Sequence, residues 1–85
     1  MDAVILVDAA PGFEDSVEAS LRKNHAVVNV ARVKQGNYDM VVLVRVSDES
    51  SLTRLVSSDL RMVSGVRGVQ RLADPSPDLM KRLSA

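Results

Sequence analysis

The sequence predicts an α+β fold of the ferredoxin-like kind, βαββαβ, in which an antiparallel four-stranded sheet carries two helices on one face. Three observations lead there. Four short runs, "AVILVDA", "AVVNVARV", "DMVVLVRVS" and "VRGVQRLA", are β-branched and of strand length. Two segments repeat apolar residues at helical spacing, first at Phe13, Val17 and Leu21, then at Leu52, Leu55, Val56, Leu60 and Val63. The second and third runs are separated by Lys34 to Tyr38, a hairpin-length link containing Gly36 and Asn37. With right-handed crossovers, the compact arrangement places the strands in the spatial order fourth, first, third, second.

Each element has its own signals. "APG" stops the first strand, residues 3–9. The first helix is expected over 12–24, with Glu14 and Asp15 in its first turn and Arg22 and Lys23 in its last, matching the helix dipole. Glu18 and Arg22 are spaced to pair across one turn. Strands follow over 26–33 and 39–47. Asp48 is the expected N-cap of the second helix, Glu49 lies in its first turn, and Gly65 is placed to end it. The last strand is 66–73. Ser76 and Pro77 then open a short terminal helix as N-cap and first residue. Residues 1–74 thus form one domain and 75–85 a helical tail. Met62 and Met80, at helical positions, are expected in the core.

Alternation within the central strands raises a question about the sheet's second face. Ile5 and Val7 point one way, as do Met40, Val42, Val44 and Val46, and these belong under the helices. The opposite set contains Val4, Leu6, Val41 and Leu43, where a solvated face would be polar. Burying four such side chains is worth roughly 1.5–3 kcal/mol each, comparable in sum with a domain's whole stability of about 5–15 kcal/mol. The expected solution is a dimer packed sheet to sheet through Val4, Leu6, Val41 and Leu43, with Arg45 and Arg71 at its rim. The competing arrangement folds the terminal helix over its own sheet through Leu79, Met80 and Leu83.

Composition removes several classes of function. Eleven basic residues balance eleven acidic ones, whereas nucleic-acid binding draws on a basic excess. There is no cysteine, hence no disulfide framework or thiolate metal site. The acidic start fits no signal peptide, and no apolar run approaches the ~20 residues of a membrane span. A soluble, cytoplasmic, single-domain protein is expected, with no membrane contact.

Catalytic signals are thin. His25 is the only histidine and lies at a helix end. The serines of "SDESS" and "VSSD" lack a nucleophile-elbow context, and "PG" lacks the spacing and lysine of a phosphate loop. Asp8 reads as a charged strand end or a base. Arg67 and Arg71, on either side of Val69, read as a solvated edge or the wall of a groove for acids. No catalytic residue, metal site or cofactor is expected.

One constellation remains: the hairpin motif G-x-Y-D, Gly36-Asn37-Tyr38-Asp39, holding the only tyrosine. Together with the element order, the run "APGFEDSVEASLRKNHAVVNVARVKQGNYDMVVLVRVSDESSLTRLV" and "VSGVRGVQRL" with its Gly65-Val66, it resembles the ligand-binding (RAM) domain of the Lrp/AsnC family over residues 3–73. The resemblance implies sheet-to-sheet dimers assembled into rings, commonly octamers, with an amino acid bound between dimers and contacted by the hairpin. Full-length members carry a DNA-binding helix-turn-helix. This chain starts at the first strand, so the resemblance is to a stand-alone module without direct nucleic-acid contact. The implied effector residues are Gly36, Asn37, Tyr38, Asp39 and Gln70. Backbone N–H groups at the turn would take a carboxylate, and Asp39 would hold an ammonium or brace the loop. Alternatively, Gly36 and Asn37 only make the turn, Asp39 caps it and Tyr38 packs on a subunit. The last strand, at Gly68, Val69, Gln70 and Arg71, departs from the family pattern by lacking hydroxyl and acidic residues. The expected function is a non-enzymatic regulatory module that oligomerises and senses an amino-acid-like ligand, acting on transcription or amino-acid metabolism through a partner such as a full-length relative. The alternatives are a dimeric α+β barrel enzyme of monooxygenase or isomerase type, with a polar site beneath its helices, and a purely structural oligomer.

Overall fold

The apolar runs pair into a single sheet in the computed structural model, which describes residues 1–84. Its elements are β1 (Asp2–Ala9), α1 (Glu14–Arg22), β2 (Val27–Ala31), β3 (Met40–Arg45), α2 (Glu49–Arg54) running directly into a π-helical turn (Leu55–Asp59), β4 (Val66–Leu72) and α3 (Pro77–Ser84). The sheet order is β2-β3-β1-β4 and every pairing is antiparallel. This is the expected ferredoxin-like topology, with β1 and β3 central.

Strand alternation divides the core in two. On the first face Ile5, Val7, Met40, Val42 and Val44 are fully buried against Val17 and Leu21 of α1 and the leucines of α2 and its π turn. Polar contacts latch α1 to the β2 side. Arg22 binds Glu18 at 3.0 Å and donates to the Val30 carbonyl at 2.9 Å, while Arg32 reaches Glu18 and Asp15, each at 2.7 Å. The hydrogen bond from Arg22, opposed by partial desolvation and reinforced by Arg32, holds the Glu18 carboxyl below its ordinary pKa.

The second helix departs from the sequence expectation. Asp48 caps it as expected, accepting from the Ser51 N–H at 2.8 Å, and that bond lowers the Asp48 pKa. A regular α-helix, however, would set Leu55 and Leu60 about 140° apart at 3.6 residues per turn. The π turn, in which the Leu60 N–H donates to the Leu55 carbonyl at 2.9 Å, brings both into the core. The wider turn shifts the following register, and Met62, expected in the core, is 81% exposed. Phe13 also differs: it stands at the N-cap of α1, half-exposed, with its ring laid on Gly65. Gly65, expected to end the second helix, instead lies in the turn before β4, past the C-cap at Leu60; it has φ +94°, and a Cβ there would lie 2.7 Å from the Phe13 Cβ, so it seats the ring.

On the second face, α3 lies across the sheet. Leu79 and Leu83 pack with Val4, Leu6, Val41 and Leu43, which are 0–6% exposed within one protomer. The arrangement adopted is therefore the one in which the terminal helix covers its own sheet. The four side chains expected at a dimer interface are already buried, so an open apolar face no longer argues for a second copy. Met80 packs at the edge of this cluster.

Candidate functional site

The hairpin is tighter than its length suggests. Gln35 and Tyr38 exchange both backbone hydrogen bonds at 2.9 Å, leaving Gly36 and Asn37 as a two-residue loop. Gly36 has φ +60° and Asn37 does not have positive φ, the pattern of a type II′ turn with glycine first. The bridge occupies the N–H groups of Gln35 and Tyr38. The N–H groups expected to face a carboxylate are thereby narrowed to those of Gly36 and Asn37, at the exposed tip.

Asp39 turns inward along the sheet. Its N–H donates to the Val7 carbonyl and its Oδ1 accepts from the Ala9 N–H, both at 3.2 Å. The Ala9 N–H lies beyond the last β1–β3 pair and beside the register shift in β1–β4 pairing at Asp8/Ala9. Of the two roles expected for Asp39, bracing the loop is the one its geometry displays.

Tyr38 reaches across β1 to the last strand. Its hydroxyl donates to Gln70 Oε1 at 2.9 Å. Its ring lies over Gly68, where a Cβ would sit 3.7 Å from Tyr38 Cε1, and packs against the cluster beneath α3. Tyr38 and Gln70, both expected site residues, are thus brought together by strand pairing from 32 positions apart. The result is a shallow shelf at one end of the sheet: the turn tip, the Tyr38–Gln70 pair, and beside them an Arg67–Asp8 ion pair at 3.1 Å. Gly68 was the missed participant. A glycine within a strand signals close approach of another group, but the identity of that group depends on register.

The other candidates fall elsewhere. His25 is exposed at the helix end. Arg71 pairs with Glu49 at 3.2 Å, beside a hollow of about 240 Å³ also walled by Leu52, Val56 and Arg61. Arg45 grips Asp2 with two hydrogen bonds of 2.8 and 3.1 Å, which lower the Asp2 pKa. Among the described residues no polar or charged side chain is buried, and no three potential ligands cluster as a metal site. No helix among them is long and apolar enough to cross a membrane.

These features define a ferredoxin-like βαββαβ domain with a further helix across its second face. Residues 2–72 match the Lrp/AsnC ligand binding domain, and the chain belongs to that family. Solved structures share the fold. FFRP-DM1 is 22% identical with a TM-score of 0.76, over 84% of this chain and 93% of that one. TTHA0845 from Thermus thermophilus is 25% identical with a TM-score of 0.75, over 88% and 98% respectively. The transcriptional regulator NMB0573 from Neisseria meningitidis, solved in complex with L-Met, is 20% identical with a TM-score of 0.74, over 89% of this chain and 50% of that one. No curated protein matches the sequence. The family match ends at residue 72, before α3 begins.

Proposed function

We propose that the protein is a non-enzymatic cytoplasmic regulatory module that oligomerises and binds a small amino-acid-like effector at the hairpin shelf. It modulates transcription or amino-acid metabolism through a partner such as a full-length Lrp/AsnC relative. Family membership and the neighbour bound to L-Met support the ligand class. The observation that carries the location is the Tyr38–Gln70 contact, which joins the G-x-Y-D hairpin to the last strand. In this reading the N–H groups of Gly36 and Asn37 receive the effector's carboxylate. Gln70 Oε1 and the outer oxygen of Asp39 face its ammonium, and the Tyr38 ring forms a wall.

The test is thermal unfolding against each common amino acid at millimolar concentration. A ligand at about 100 times its Kd adds about 2.7 kcal/mol to the native state, and each kcal/mol moves the Tm of a domain this small by about 4–8 °C. A selective rise is expected with the wild type and should be lost in Gln70→Ala. That variant is preferable to Asp39→Ala, which also removes the brace on Ala9. No rise with any amino acid would contradict the effector reading. It would favour a purely structural oligomer, which the internal pairing of Tyr38 with Gln70 and of Asp39 with Ala9 also suits.

A further inference from the structure

We propose that the hollow between the second helix and the edge strand β4 is a binding site for a small carboxylic acid with an apolar tail, held by Arg61 and Arg71. It is separate from the hairpin shelf. Gln70 and Arg71 are neighbours on β4, so their side chains leave opposite faces of the sheet.

The strand supplies one wall. β4 is paired only with β1 and keeps an open edge. Arg61 Nη2 donates to the Val69 carbonyl at 2.9 Å, so that carbonyl faces away from β1. Val7, opposite Val69, agrees: its carbonyl accepts from the Asp39 N–H on the β3 side. By the two-residue repeat of a strand, the Arg71 N–H faces the same open edge. Arg61 is anchored close to Arg71, since strand residues two apart are separated by only about 7 Å. Arg22, Arg32, Arg45, Arg67 and Arg71 each pair with an acid. Arg61 has no carboxylate partner among the described residues, and the contact with Val69 uses only one of its donors.

The π turn is what puts Arg61 there. One residue beyond the α-helical repeat rotates everything after it by about 100°. That rotation carries Leu60 into the core and Arg61 over the strand edge. Such π insertions recur at functional sites.

The hollow matches an anionic head on an apolar body. Leu52 and Val56 line it, and its volume of about 240 Å³ equals about eight waters at ~30 Å³ each. Arg71 already holds a carboxylate, with Nη1 3.2 and 3.4 Å from the two oxygens of Glu49. The Glu49 side chain is 66% exposed, and a surface pair of this kind contributes little. Glu49 is therefore a displaceable stand-in for an external carboxylate that reaches both guanidinium forks. Inorganic phosphate would meet the same cations and leave Leu52 and Val56 uncovered.

The experiment follows backbone amide shifts of the full chain by NMR during titration with hexanoate, hexanol and inorganic phosphate. Hexanoate should give saturable shifts at residues 52–57, 61 and 69–71. Hexanol and phosphate should each bind about tenfold more weakly or worse. Arg61→Gln should weaken hexanoate by a similar factor. Glu49→Gln removes the competing carboxylate and should tighten hexanoate, a gain that a damaged fold would not give. Gln70→Ala should leave hexanoate binding unchanged, whatever it does to the amino-acid response. The proposal is overturned if hexanoate moves none of these amides up to tens of millimolar in wild type and Glu49→Gln. Equal binding of hexanol or of phosphate would also overturn it, as would binding that is indifferent to Arg61→Gln or lost in Gln70→Ala.

Discussion

The two faces of the sheet bury similar aliphatic side chains by different means. The first is covered by α1 and α2, both within the family domain and fixed at each end by a strand, and α1 is latched by Arg22 and Arg32. The second is covered by α3, which follows a linker containing Pro75 and lies beyond the family match. Identical burial therefore does not mean identical permanence. A helix that connects two strands of the sheet cannot leave without unfolding the domain, whereas a short helix outside the strand order opens as a local unit.

Substitutions should separate the faces. The largest loss is expected on the first: Ile5→Ala, at a side chain with no exposure, should cost about 2–5 kcal/mol in urea unfolding. Leu83→Ala is nearly as buried, yet its cost should fall at or below the lower end of that range, about 2 kcal/mol, because the penalty cannot exceed what docking of α3 contributes. Equal losses at the two positions would break the comparison. Gly65→Ala, which forces a side chain onto φ +94° and into Phe13, should cost roughly 1–3 kcal/mol, and Phe13→Gly in the same chain, which removes the Cβ it meets, should recover part of it.

Acid should give the mildest effect. Asp2, Glu18 and Asp48 have lowered pKa values, caused chiefly by hydrogen bonds from Arg45, Arg22 and the Ser51 N–H respectively. Each binds a proton more readily when unfolded, so its stabilisation is complete above the ordinary carboxylate range and is lost as pH falls through the folded value. A Tm constant from pH 7 to about 5 and declining below about 4 is expected. Asp48→Asn, which keeps a capping oxygen, should flatten part of that decline.

Much of this architecture was legible in the sequence, because strand alternation and helical spacing are local. Ile5, Val42, Val17 and Leu21 took their expected places, as did the cap at Asp48, whereas Gly65 falls in the turn before β4, past the helix end at Leu60. The π turn was not legible, since a period of 3.6 carries no mark of one inserted residue, and Met62 was misplaced for that reason. The occupant of the second face was open because alternation says that Val4, Leu6, Val41 and Leu43 are covered without saying by what. At the hairpin, Gly36-Asn37 announced a turn. The reach of Tyr38 to Gln70 and the bracing of Ala9 by Asp39 depended on register between strands far apart in the chain.

The most direct measurement is native-state hydrogen exchange of α3 and α1 amides at low and high protein concentration. If α3 opens as a local unit while α1 opens only with the whole domain, amides of residues 79–83 should exchange faster than those of residues 17–21 at either concentration. Equal protection of the two sets would contradict the account.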